Sequence, residues 1–217
     1  MTRALAFALL LASCSPMSTV PSQNDTRYLA LGDSYTIGES VEVSERFPVQ
    51  LARDLALGEP LIIAKTGWTT DELNTAIDAA KPRGPYELVT LLIGVNNQYR
   101  GRDAEQYRGE FAALLQRAIG FAGGEARRVV VVSIPDWGVT PFAEGRDRAK
   151  IASEIDRYNT VNREETSRAG ARYVDITPIS RGNDAGLVAG DGLHPSGRQY
   201  AAWVRSILPA ARAALDR

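Results

Sequence analysis

One cysteine and one histidine occur among the 217 residues. A single cysteine excludes an internal disulfide, and this scarcity excludes the usual zinc site, which recruits several Cys or His ligands. Charge is not in excess either: 25 Lys and Arg stand against 26 Asp and Glu. Nothing in that balance points to nucleic acid or to a polybasic membrane-binding surface. Repeats and low-complexity blocks are missing. The leading apolar run, residues 4–12, is too short to cross a bilayer as a permanent helix. No Walker A or G-x-G-x-x-G motif follows the first strand-like segment, which excludes the common nucleotide-binding loops. A G-x-S-x-G elbow is absent too, because Gly32-Asp33-Ser34-Tyr35-Thr36 breaks at its fifth position.

What is there begins with ordinary bulk properties. An apolar share of 44% and a charged share of 24% suit a globular protein, and the length suits one domain with a sizeable core. The amino end reads differently. "MTRALAFALLLASC" has one Arg, then apolar residues, then small ones, the layout of a secretory signal. Its last four letters, "LASC", resemble a bacterial lipobox, in which the cysteine becomes the acylated first residue. That resemblance implies a signal peptide over 1–13 and a lipidated Cys14 opening a flexible tether over 14–26. The folded domain is then 27–217, held at the bacterial cell envelope through a lipid anchor.

Beyond residue 26, apolar runs alternate with helical periodicities. Strands are predicted at 27–31, 61–64, 88–93, 128–134 and 172–176, all rich in Val, Ile and Leu without alternation. Such runs belong to strands buried on both faces of a parallel sheet. A helix over 103–124 brings Tyr107, Phe111, Leu114, Leu115 and Ile119 to one face, with Asp103 as N-cap and Gly123–Gly124 as stop. Another, over 196–215, groups Tyr200, Trp203, Val204, Ile207 and Leu208, and Pro209 is expected to kink or end it. Weaker helices fit 45–57, 69–79 and 149–169. The alternation predicts an α/β class chain: a three-layer α/β/α sandwich around a five-stranded parallel sheet.

Ligands of open parallel sheets bind beyond the carboxyl ends of the strands. The five exits carry Gly32-Asp33-Ser34, then "KTGWTTDEL" with Gly67, then "GVNNQYRG" with Asn96, then "PDWGVTP", then a longer loop ending in "DGLHPSG". Any histidine base must be His194, which has Asp191 three residues before it. Serine hydrolysis needs a nucleophile, a base to take its proton and a carboxylate to orient the base. Ser34, His194 and Asp191 supply those three types, although Gly-Asp-Ser alone is also what a plain turn looks like. Trp68, Tyr99 and Trp137 sit on the same loops and are candidate substrate contacts. Asp136, Asp175 and Asp184 are carboxylates of the kind that can hold a cation, but strand ends and loops collect such residues anyway.

"GDSY", Gly67, "GVN" and "DGLHP", in that order, resemble the four blocks of the SGNH (GDSL-type) hydrolase family over about residues 27–215. The resemblance implies a flavodoxin-like fold. It makes Ser34 the nucleophile, His194 the general base and Asp191 its orienting acid. The Ser34 and Gly67 backbone N–H groups and the Asn96 amide would form the oxyanion hole. The implied activity is that of a lipolytic serine esterase acting on small acyl esters, thioesters or lysophospholipids through an acyl-enzyme, with no cofactor and no metal. A carbohydrate O-deacetylase of the same fold is the alternative. A non-catalytic envelope lipoprotein is the reading from another class, and a degenerate copy would have lost some of these residues. Two positions depart from the family pattern: Tyr35 replaces the common Leu, and Asn97 replaces the usual Asp, which leaves the hydrogen bonding around Asn96 open.

Overall fold

The computed structural model describes residues 27–182 and 184–216. The expected signal peptide, Cys14 and the tether lie outside the described residues. Five parallel strands form the sheet: β1 (Tyr28–Gly32), β2 (Leu61–Ala64), β3 (Leu88–Leu92), β4 (Val129–Val132) and β5 (Arg172–Val174). Their order is β2-β1-β3-β4-β5, the flavodoxin-like order. β1, β3 and β4 are buried along their whole length, as their unbroken apolar runs require, whereas the edge strands β2 and β5 are only partly covered.

Eight α-helices accompany the strands among the described residues: α1 (Ser34–Ile37), α2 (Phe47–Asp54), α3 (Thr70–Ala80), α4 (Val95–Tyr99), α5 (Ala104–Phe121), α6 (Arg148–Arg168), α7 (Thr177–Ser180) and α8 (Gly197–Leu215). α2 packs on α8 on one side of the sheet, and α3, α5 and α6 pack in a row on the other. Right-handed crossovers dictate this, because the chain steps one way from β1 to β2 and the opposite way through β3, β4 and β5. Asp103 caps α5 as expected, accepting from Glu105 N at 2.9 Å and Gln106 N at 3.1 Å. α8 instead continues through Pro209 to Leu215, so the proline does not end it.

The strand predicted over 128–134 stops at Val132 for a local reason. Asn159 of α6 takes both main-chain groups of Ile134, accepting from N at 2.8 Å and donating to O at 2.9 Å. Thr177 donates to the same carbonyl at 2.9 Å. These side chains supersede the ladder and turn the chain toward the sheet's carboxyl edge.

Strand order reverses between β1 and β3, where Gly32 lies beside Leu92. A crevice opens at such a reversal, because the connections leave in opposite directions. The segments leaving β1 and β3 carry Ser34 and Asn96.

Candidate active site

Ser34 is the first residue of α1, directly beyond β1. Asp33 caps this turn, its Oδ1 accepting the Tyr35 N–H at 3.1 Å. As a first-turn amide, the Ser34 N–H has no partner within the helix. Ser34, Gly67, Asn96 and His194 line one cavity of about 180 Å³ with Tyr35, Thr66, Val95, Tyr99, Trp137, Phe142 and Leu193. Residues from the exits of β1, β2, β3 and β4 and from the loop before α8 thus meet in one place.

The turn before α8 fixes the histidine. Asp191 Oδ1 accepts the Leu193 N–H at 2.9 Å and the His194 N–H at 3.0 Å. Its Oδ2 lies 2.5 Å from His194 Nδ1 and accepts the Ser40 hydroxyl at 2.7 Å. Partial burial pushes the Asp191 carboxyl up, but the bonds from His194, the two N–H groups and Ser40 outweigh it and hold the carboxyl well below the usual range. An ionised Asp191 makes Nδ1 the protonated ring nitrogen and leaves Nε2 its lone pair. The Tyr35 ring meets the imidazole edge-on, with centroids 5.8 Å apart, and meets Trp203 of α8 at 6.2 Å. Tyr in place of Leu therefore builds a packed wall behind the histidine.

Across the cavity, Gly67 holds φ at +87°, a conformation that favours glycine. Its carbonyl accepts from Arg100 Nη2 at 2.7 Å. Among the described residues, nothing accepts from its N–H. Asn96 Nδ2 donates one hydrogen to the Trp68 carbonyl at 2.9 Å, which orients the amide and leaves its second N–H available. Gly94, just before it, has φ +123°, and a Cβ there would lie 2.4 Å from the Tyr107 hydroxyl. Only glycine lets the chain leave β3 so close to α5.

Asn97 is fully buried and links three elements. It accepts the Thr70 N–H at 3.1 Å and donates to the Thr70 hydroxyl at 2.7 Å and to Glu110 at 3.3 Å. An aspartate would bring a second carboxylate against Glu110, so the departure at this position fits its neighbour. The Asn97 side chain is thus fully engaged, while Asn96 is oriented by Trp68.

Of the three candidate aromatics, Tyr99 and Trp137 line the cavity. Trp68 does not: its side chain borders a groove between β2 and α3, and only its carbonyl serves Asn96. Phe142, Leu193 and Thr66 were not singled out in the sequence, since nothing in their local letters marks them. Ser40 likewise becomes visible only through its bond to Asp191. The loop carboxylates have structural partners. Asp136 binds Gly138 N and Arg181, Asp175 binds Ser133 and Arg163, and Asp184 binds Gly186 N and Arg198.

This geometry can be set beside known proteins. No curated protein matches the sequence significantly. Among solved structures, TesA superposes with a TM-score of 0.67 at 18% identity, over 87% of this chain and 99% of its own. The psychrotrophic esterase EstA from Pseudoalteromonas sp. gives 0.66 at 15% identity, over 89% and 100%. A lipase/acylhydrolase from Enterococcus faecalis gives 0.63 at 21% identity, over 86% and 96%. These likenesses concern the fold. A family model described as GDSL-like lipase/acylhydrolase matches residues 30–202. By that match, this chain belongs to the GDSL-like lipase/acylhydrolase family of ester hydrolases, the family its four sequence blocks resemble.

Proposed function

We propose that the chain is a serine esterase working through an acyl-enzyme, with Ser34 as nucleophile, His194 as base and Asp191 as orienting acid. The observation that carries this reading is the 2.5 Å contact of Asp191 with His194 Nδ1, in a cavity that His194 shares with Ser34, Gly67 and Asn96. His194 Nε2 takes the Ser34 hydroxyl proton as Oγ attacks the ester carbonyl. The Ser34 and Gly67 N–H groups and the Asn96 amide receive the developing oxyanion; each such donor is worth about a hundred- to a thousand-fold in rate. The imidazolium then returns its proton to the leaving alcohol or thiol. Water, activated by the same histidine, releases the acid and regenerates Ser34.

A small cavity walled by Val95, Leu193, Trp137 and Phe142 favours short acyl groups on esters or thioesters. An acetyl group falls in that range, and the half-exposed rings of Tyr99 and Phe142 at the rim suit a sugar face, which keeps carbohydrate O-deacetylation as the second reading. Ser34→Ala is expected to abolish hydrolysis of short nitrophenyl esters while the circular dichroism spectrum stays native. A folded Ser34→Ala protein with wild-type rates would sink the mechanism. The lipobox-like "LASC" supports a lipid anchor at Cys14 and an envelope location, with 27–217 as the catalytic domain. Labelled palmitate is expected to enter the wild-type protein and not Cys14→Ser; equal labelling of both would refute the anchor.

A further inference from the structure

The segment 141–147 runs past the cavity mouth and is tied to the histidine loop, its Phe142 N–H donating to the Gly192 carbonyl at 2.9 Å. Arg146, at its far end, is exposed. Its guanidinium carbon lies 5.4 Å from the Tyr99 ring centroid, 5.4 Å from Trp137 and 5.0 Å from Phe142. Those three rings pack on one another, with centroids 5.5 to 6.3 Å apart, and all three line the catalytic cavity. Trp137 is fixed from behind by its Nε1–H donating to Gln98 at 2.8 Å, and Gln98 donates in turn to Glu154 at 2.7 Å. Arg146 thus stands on the outer side of the wall whose inner side faces Ser34.

Its bonding differs from that of several nearby arginines. Arg100 pairs with Glu72 at 3.2 Å, Arg102 with Asp71 at 2.6 Å and Arg181 with Asp136 at 2.9 Å, whereas Arg148 donates to the Thr140 carbonyl at 3.2 Å. The Arg146 guanidinium donates only to the Tyr99 hydroxyl, at 3.3 Å, and among the described residues no carboxylate forms an ion pair with it. Asp147, beside it, is engaged in capping α6 through the Lys150 N–H at 2.9 Å, and Glu144 borders neither the cavity nor the hollow behind the rings. Three ring faces hold the planar cation in place without neutralising it, so most of its five N–H donors remain for an anion.

We infer that Arg146 is a specificity residue for esters whose leaving group carries an anion such as phosphate. The side follows from the connection to Gly192: the leaving oxygen takes its proton from His194, and the segment bearing Arg146 is bonded to the His194 loop. The inference rests on the serine-esterase reading above and narrows its substrate class.

Two soluble substrates isolate the effect: 1-butyrylglycerol, and the same ester phosphorylated at the glycerol 3-position. Arg146→Gln is expected to lower kcat/KM for the phosphorylated ester about ten-fold, mainly through KM, because a charge-assisted bond is lost. The neutral ester should change less than two-fold. Arg146→Lys should keep most of the preference for the phosphate, and 0.5 M NaCl should shrink it in the wild type. Equal losses on both esters, which a merely structural role for Arg146 would give, overturn the inference, as does an unchanged rate on the phosphorylated one. Ser34-dependent turnover of 1-butyrylglycerol in the wild type separates the two readings. If it is absent, the esterase reading fails and takes this inference with it; if it is present without discrimination at Arg146, this inference alone fails.

Discussion

Two aspartates flank the candidate nucleophile and histidine, and the chain treats them oppositely. Asp33 is fully buried, one oxygen accepting the Tyr35 N–H and the other, Oδ2, having no hydrogen-bond partner. Burial pushes its carboxyl up to about 7 against the opposing pull of the Tyr35 N–H and its own backbone N–H. Asp191 is partly exposed and bonded to Ser40, the His194 ring and two backbone N–H groups, which hold it well below the usual range. The number of donors, not nearness to the serine, decides which carboxylate is held firmly as an anion and which is pushed toward its protonated form. Asp33, next to Ser34 in sequence, builds the turn. Asp191, distant in sequence, is the one fitted to steady an imidazolium.

The sharpest way to break that contrast is Asp191→Asn. Hydrolysis of nitrophenyl butyrate is expected to fall about a thousand- to ten-thousand-fold in kcat, because the wrong tautomer of His194 is then favoured. A loss under ten-fold would show that His194 is oriented by something else.

Asp33→Asn tests the other side through stability. An unfolded Asp ionises near pH 4, the folded one near 7. Below pH 4 both states hold the proton. As pH rises toward 7 the unfolded chain loses its proton first, so the wild type loses stability across that window, on the order of a few kcal/mol. The amide does not titrate. Urea denaturation should therefore show Asp33→Asn gaining on the wild type from pH 4 to 7, with no further gain above 7. A pH-independent difference would mean that burial does not govern this carboxyl. For Asp191 the sign is reversed: its stabilising bonds are complete above pH 4 and are lost only in stronger acid, as the folded carboxyl takes up its proton.

The smallest expected effect is Ser40→Ala. One of four donors to Asp191 is removed, and kcat should drop about three- to ten-fold with the fold unchanged. A loss as large as that of Asp191→Asn would show that Ser40 does more than support the acid.

Much of the scaffold was legible because its signals are local. Val129–Val132 is apolar on both faces and can only be a central strand, and Asp103 with Gly123 brackets α5 whatever surrounds them. Where local rules failed, tertiary contacts had intervened. Pro209 remains inside α8, whose Trp203, Ile207 and Ala211 are buried. The strand ending at Val132 is cut short by Asn159, whose reach no window around residue 130 reveals. At the site, Ser34, Gly67, Asn96, Asp191 and His194 are readable as types at strand exits, while Trp68, a candidate contact on the same loops, lies outside the cavity and borders the groove beside the edge strand β2.

The sequence by itself determined the class of fold, the family and the five candidate site residues at the carboxyl edge of the sheet. Periodicity, caps and glycines act within a few residues, and the sole histidine leaves only one candidate for a histidine base. Only the tertiary structure decided that the Asp191 carboxyl is held low while that of Asp33 is pushed up, that Asn97 matches Glu110, and that Arg146 stands on three aromatic rings beside the cavity. Each of these depends on how many donors, charges and ring faces converge from distant segments, and convergence is a property of packing.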